Sequence, residues 1–214
     1  MFNFSSKTIV NKEYKVSDFL TQIKASKEVR ADATKIKSIV FKNVISAETL
    51  NATFDKQYQN IYVIYLVLNE RTVPKLFIEE LDKNIEFHTY FIFEYNKETA
   101  SMIAFKEIGN KVKISSNYYI SSFKEQQLVS IPMINSVKDM YTFILSHEIE
   151  ILSREDESPS EYMTRVKAIN RLNFQISKTE KAIIYETQPK KKFEYNERLR
   201  RYIRELDELM RMER

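Results

Sequence analysis

The stretch Ile85–Ile108, IEFHTYFIFEYNKETASMIAFKEI, leaves this chain few choices. Phe87, Tyr90, Phe91, Ile92, Phe93 and Tyr95 are aromatic or β-branched, the side chains that fit a pleated, half-buried surface. Asn96-Lys97-Glu98-Thr99 is a polar cluster of turn type, after which Met102, Ile103, Ala104, Phe105 and Ile108 resume the apolar pattern. The spacing predicts a β-hairpin in the middle of a sheet. Alternate side chains take alternate faces, so His88, Tyr90, Ile92 and Glu94 share one face and Phe87, Thr89, Phe91, Phe93 and Tyr95 the other. The polar members of the first face are the first place to look for a site. Gly109-Asn110 marks the next turn. Gly109 is the only glycine in the chain, and is expected where other residues are avoided.

Around the hairpin the pattern alternates. Residues 1–15 read as irregular or weakly extended. Val16–Ile23 has helical spacing, a second short helix covers Lys27–Lys35, and a strand runs from Lys37 to Ile45. Residues 46–52 form a polar connection. Ile61–Leu68, IYVIYLVL, is the kind of apolar strand that is covered on both faces. Pro74–Ile85 supplies a covering helix, with Pro74 in its first turn and Leu76, Phe77, Leu81 and Ile85 as its stripe. Val112–Phe123 reads as one further strand, with Val112, Ile114, Ser116, Tyr118 and Ile120 on one face. Ser136–Leu152 is an amphipathic helix with Ser136 as N-cap; Val137, Met140, Tyr141, Ile144, Leu145 and Ile151 can pack.

The tail differs. Ser158-Pro159-Ser160-Glu161 is a helix start, with Ser as N-cap, Pro at N1 and Glu at N3. Tyr162, Val166, Ile169, Asn173, Ile176, Glu180 and Ile183 then follow a heptad seam, with Asn173 at an a-type place. Pro189 and Lys190-Lys191-Lys192 interrupt it, and Tyr195, Leu199, Tyr202, Leu206 and Leu209 form a second seam. Two antiparallel helices joined near Thr187–Lys192 are expected; one long helix kinked at Pro189 is the competitor. The class is therefore α+β (mixed α/β). A central mixed sheet of about five strands with flanking helices fills residues 1–156. A coiled-coil-like antiparallel helical hairpin fills 157–214.

Composition narrows function. A single glycine removes the phosphate loop, the dinucleotide fingerprint and the GxSxG elbow. With no cysteine and two histidines, His88 and His147, neither a disulfide nor a zinc site of the usual kind is expected. No metal or other cofactor is anticipated. No apolar run reaches the roughly 20 residues of a membrane span, and Met1–Tyr14 lacks the core of a signal peptide, so a cytoplasmic chain without membrane contact is expected. The formal charge of +4 sits wholly in residues 157–214, where 14 Lys and Arg meet 10 Asp and Glu.

Two candidate sites stand out. Lys190, Lys191 and Lys192, with Arg198, Arg200, Arg201 and Arg204, could touch phosphates, although Glu194, Glu197, Glu205 and Asp207 dilute the patch and a solvated helix face is the plainer reading. Glu94 and Lys106 straddle the hairpin as the carboxylate and lysine of a metal-dependent nuclease would. Ala104 stands where that pattern needs an acid, and a cross-strand pair is the plainer reading. His88 would add a base only beside a nucleophile or water. Tyr118-Tyr119, with Tyr62, Tyr65, Tyr90 and Tyr95, offer stacking surfaces or, more simply, core.

Ile39–Ala52 (IVFKNVISAETLNA), His88–Tyr95 (HTYFIFEY), Phe105-Lys106-Glu107, Tyr118-Tyr119 and the tail ERLRRYIRELDEL together resemble the prokaryotic family called domain of unknown function 4391. The matching positions are Lys42, Thr49-Leu50-Asn51, Glu94 and Lys106, with Glu186, Gln188 and Asn196 in the tail. Pro189 and the lysine run depart from the pattern. The resemblance implies a setting: genes beside helicases and DNA methyltransferases in restriction-modification-like or phage-defence loci. The expectation is a non-catalytic accessory subunit with a helicase or methyltransferase as protein partner, and with DNA contact or homo-oligomerisation through the tail. The alternatives are a hydrolase using Lys42, Asn51, His88, Glu94 and Lys106, or a self-associating scaffold.

Overall fold

The computed structural model describes residues 2–109 and 111–211. Asn110 of the expected Gly109-Asn110 turn lies outside them. The chain divides into two compact units, Met1–Glu150 and Ile151–Arg214.

The first unit opens with β1 (Ile9–Tyr14), α1 (Val16–Gln22) and α2 (Lys27–Ala33), then β2 (Ile36–Ser46), the single turn α3 (Ala47–Leu50), β3 (Asn60–Leu68) and α4 (Lys75–Lys83). The hairpin β4 (His88–Tyr95) and β5 (Glu98–Ile103) follows. Four short strands come next: β6 (Lys106–Ile108), β7 (Val112–Ile114), β8 (Tyr119–Ile120) and β9 (Lys124–Glu125). Helix α5 (Val137–Ile149) closes the unit. A seven-stranded sheet runs β1-β2-β3-β4-β5-β8, with β9 also on β5, and β6-β7 form a separate two-stranded sheet. Among the described strands only β3 and β4 pair in parallel, and α4 is the crossover such a pair requires.

The apolar run of β3 is buried on both faces. Ile64 and Leu66 join Phe91, Phe93, Ala100 and Met102 against Phe77, Ile78 and Leu81 of α4. On the opposite face α5 lies near the start of β4, where the Tyr141 ring sits 4.1 Å from that of His88. Asn96 and Lys97 both have positive φ, 47° and 70°, as a two-residue hairpin loop of type I′ requires.

Several expectations need correction. The sheet is wider than five strands because residues 9–14 add an edge strand and short pieces add the other edge. Val112–Phe123 is not one strand: β7 pairs with β6, whereas β8 and β9 pair with β5. The hairpin's second arm ends at Ile103, so Lys106 starts a different sheet. Residues 46–52 contain α3, and α4 begins after Pro74, which is its N-cap. Leu76 is half exposed while Asp82 takes the buried position. Gly109 has no positive φ, and a Cβ there would meet nothing within 4 Å. Among the described residues the left-handed positions fall on Asn11, Lys24, Asn51, Asn96, Lys97, Glu150 and Asp156, with asparagine, which tolerates that region best after glycine, at three.

The second unit is a helical hairpin, α6 (Pro159–Tyr185) and α7 (Pro189–Met210). Ser158 and Glu161 form a reciprocal capping box and Pro159 occupies the first turn. Residues 186–188 connect the helices. The end of α7 returns to the start of α6, where the Arg154 guanidinium donates to the Leu209 carbonyl at 3.2 Å, so the helices are antiparallel and Pro189 starts a helix rather than kinking one. Tyr162, Val166 and Ile169 are buried as expected. Beyond them burial passes to Leu172 and Thr179, and Asn173 and Glu180 are exposed. Leu172 needs no buried hydrogen-bond partner, and the Thr179 hydroxyl finds one in its own helix by donating to the Gln175 carbonyl at 2.7 Å, whereas Asn173 and Glu180 would need partners from outside the helix. No helix among the described residues is long and apolar enough to cross a membrane.

Candidate functional site

The polar side chains around β4 fall into two groups. The first is buried. Lys106 begins β6, 1% exposed. Its ammonium donates to Asp82 Oδ1 at 2.5 Å and to the carbonyls of Asp82, Phe87 and Ile85 at 2.9, 2.9 and 3.1 Å. Four acceptors surround three protons, so no donor remains for a substrate. Asp82 lies on the buried side of α4 and also accepts from the Thr89 hydroxyl and, at 2.8 Å, from Tyr118. The Tyr141 hydroxyl accepts from the Lys106 amide and donates to the Ala104 carbonyl, each at 2.9 Å. Burial pushes the Lys106 ammonium below the ordinary lysine value, and the Asp82 carboxylate opposes that fall. Tyr118 is pushed up, by burial first and then by Asp82.

His88 adjoins this group. Its ring stacks on Tyr58, 5.1 Å between centroids, and touches Tyr141. Nε2 lies 3.3 Å from the Gln57 carbonyl; a carbonyl only accepts, so Nε2 carries the proton. Nδ1 is buried without a partner among the described residues. Burial pushes the imidazole down to about 3. A base that weak contributes little proton transfer near neutrality.

The second group lies on the face that β4 shares with His88. Glu94, half-buried, sits opposite Thr99. Burial and the neighbouring Glu94 carboxylate push the Tyr65 hydroxyl up to about 12. Lys42, at a bulge of β2, places its ammonium 4.3 Å from the Tyr65 ring centroid. One strand further on, Glu148 of α5 accepts from the Tyr90 hydroxyl at 2.7 Å and from Ser101. These residues, with Ser121, Lys124 and His147, line a cavity of about 90 Å³.

The structure therefore joins Lys42 to Glu94 through Tyr65, and separates both from Lys106. Glu94 lies on the face of the main sheet that carries Tyr65 and Tyr90, while Lys106 begins another sheet and is held by α4, so the Glu94–Lys106 pairing expected of a nuclease does not form. Asn51 is exposed and serves as the left-handed C-cap of α3. Lys190, Lys191 and Lys192 fill the exposed first turn of α7. Arg198 and Arg201 lie over Tyr195 and Tyr202 at 5.8 and 5.4 Å, and Arg201 also faces Glu205. Sequence reasoning missed Asp82 and Glu148. For Asp82 a signal existed, an acid one residue after Leu81 in an otherwise apolar stripe. Among the described residues no group of three or more His, Cys, Asp or Glu is placed to hold a metal ion.

A family model, described as Domain of unknown function (DUF4391), matches residues 2–206. No curated protein and no solved structure matches the chain.

Proposed function

The chain belongs to the family Domain of unknown function (DUF4391), and we propose that it works as a non-catalytic accessory module whose helical hairpin is the element of assembly. The observation that carries this reading is α7, whose 22 residues include none that is buried. A long helix normally hides an apolar face, and here Tyr195, Leu199, Tyr202, Leu206 and Leu209 remain half-buried. Such a surface is a packing unit awaiting its other half. The lysine that best resembled a catalytic group is a strut between α4 and β6, which fits the same reading. The partner to which the α/β unit docks is, on the resemblance, a DNA-processing enzyme of helicase or methyltransferase type in the cytoplasm.

The test is affinity isolation of the full chain from its native host, with nuclease treatment and identification by mass spectrometry. Stoichiometric recovery of a helicase or methyltransferase is expected. Recovery of the chain without any such enzyme would reject the accessory role.

A further inference from the structure

The hairpin is more than an exposed surface. Between α6 and α7 three hollows of about 780, 350 and 290 Å³ follow one another. The first two share Ala168 and Leu209, and the third continues along Gln175, Thr179 and Ala182 opposite Tyr195 and Tyr202. The lining repeats in sevens. Ala168, Gln175 and Ala182 recur on one wall, and Tyr195, Tyr202 and Leu209 on the other. A heptad on both walls is the periodicity that receives another helix laid lengthwise.

Charge along this groove is polarised. At the end where the chain enters, Glu155, Asp156, Glu157, Glu161, Glu205 and Glu208 line it against Arg154, Arg165 and Arg171. Toward the tip Lys178 and Arg198 line it with no carboxylate, and Lys190, Lys191 and Lys192 stand just beyond, in a first turn that has no acid and no side-chain cap. Cations at a helix N-terminus oppose the helix dipole, so this placement is unfavourable until an anionic surface meets it. A partner of uniform charge would be repelled at one end.

We propose that the groove takes the hairpin of a second copy of this chain, run antiparallel, closing a four-helix bundle. The arrangement is isologous, so each cationic tip meets the other copy's acidic entrance twice over, whereas a parallel pair would set like on like. The proposal rests on reading the hairpin as the assembly element, and names its occupant.

The experiment is the mass of the purified full chain in solution at micromolar concentration, by light scattering and sedimentation, across a salt series. A dimer that weakens with salt is expected. The variant K190E/K191E/K192E, whose acids suit a helix N-terminus and so preserve the fold by circular dichroism, should weaken the dimer at least about tenfold. The variant E205K/E208K should weaken it as well, and an equimolar mixture of the two should recover a heterodimer. A monomer throughout, a dimer that neither salt nor charge reversal moves, or cross-links joining tip to tip would overturn the proposal. If a monomer instead binds duplex DNA through the lysines, the second copy is likewise ruled out. A monomer that recovers a helicase or methyltransferase keeps the accessory role and loses the second copy; a charge-dependent dimer that recovers no such enzyme does the reverse.

Discussion

Two buried cations, one in each unit, end on carboxylates in different company. Lys106 of the α/β unit is closed in by a carboxylate and three carbonyls drawn from α4 and the segment before β4. Arg165 of the hairpin grips Glu157 through two bonds of 2.6 and 2.7 Å and the Leu152 carbonyl at 2.8 Å, all from the few residues that lead into its own helix. Burial in the first unit is therefore long-range and uses up the donors and acceptors around Lys106. In the second it is confined to one face of α6, thinning beyond Ile169 to Leu172 and Thr179, and α7 is left half-covered along its length. A fully desolvated charge must be satisfied by its own fold, and the Lys106 ammonium spends its three protons there. A half-covered helix is still available for association.

The largest expected effect lies in the first unit. Lys106→Met leaves the Asp82 carboxylate buried with its cation gone, and should cost about 3–5 kcal/mol. The double variant K106M/D82L, which removes both charges, should be more stable than either single variant. Urea unfolding of the four proteins checks this, and a single-variant cost below about 1 kcal/mol would mean that the pair does not hold β6 to α4. Substituting exposed Lys191 should change stability little, which sharpens the contrast between the units.

His88 gives the next effect. Its folded value of about 3 lies below the usual 6.5, so the unfolded chain binds more protons between the two. Stability is complete above about 6.5 and falls as pH drops toward 3, by roughly 1.4 kcal/mol per pH unit. Between pH 6.5 and 5 the loss is about 2 kcal/mol. That window lies above the carboxylate range, so Glu28, Glu98 and Glu157, whose values are lowered, add little there. Urea midpoints of the native chain and of His88→Phe across this window separate the cases; equal slopes would show that His88 is not the titrating group.

How much of this could be read from sequence follows the range of the interactions. Strands β2 to β5 and helices α1, α2, α5, α6 and α7 declared themselves through periodicity and local caps, as at Ser136 and Ser158. The role of Asp82 was hard to read because its cation, Lys106, is 24 residues away and begins a separate two-stranded sheet. Residues 112–123 misled because β7, β8 and β9 have their partners elsewhere, and nothing within the segment records the change. On the hairpin, neighbouring positions such as Leu172 and Asn173 fit the heptad about equally well, so packing decided between them. For the candidate site, Glu94 was visible as a polar residue of the hairpin and Lys42 only through the family resemblance; the bulge in β2 brings Lys42 over the Tyr65 ring between them.

The hairpin's own stability should rest on its start. Ser158→Ala breaks the capping box with Glu161 and should cost about 1 kcal/mol, read as a loss in unfolding free energy with the α/β core intact. Ser158→Asp, which can still accept at the N-cap, should restore most of it. If the alanine variant loses nothing, the entrance is held by the Arg165–Glu157 pair instead.

The smallest effect has the opposite sign. Lys97 sits in the left-handed region at φ 70°, in the tightest turn of the β4–β5 hairpin. A side chain there costs about 1–2 kcal/mol, while glycine costs roughly 0.5–1 kcal/mol in chain entropy. Lys97→Gly creates the Asn-Gly pair that such a loop favours, and the balance predicts a gain of about 0.5 kcal/mol. The exposed Lys97 has no packing to lose, so the gain isolates backbone strain in the chain's central hairpin. A loss instead would mean that the turn is held by what surrounds it rather than by its own residues, and that glycine's scarcity carries no penalty at this position.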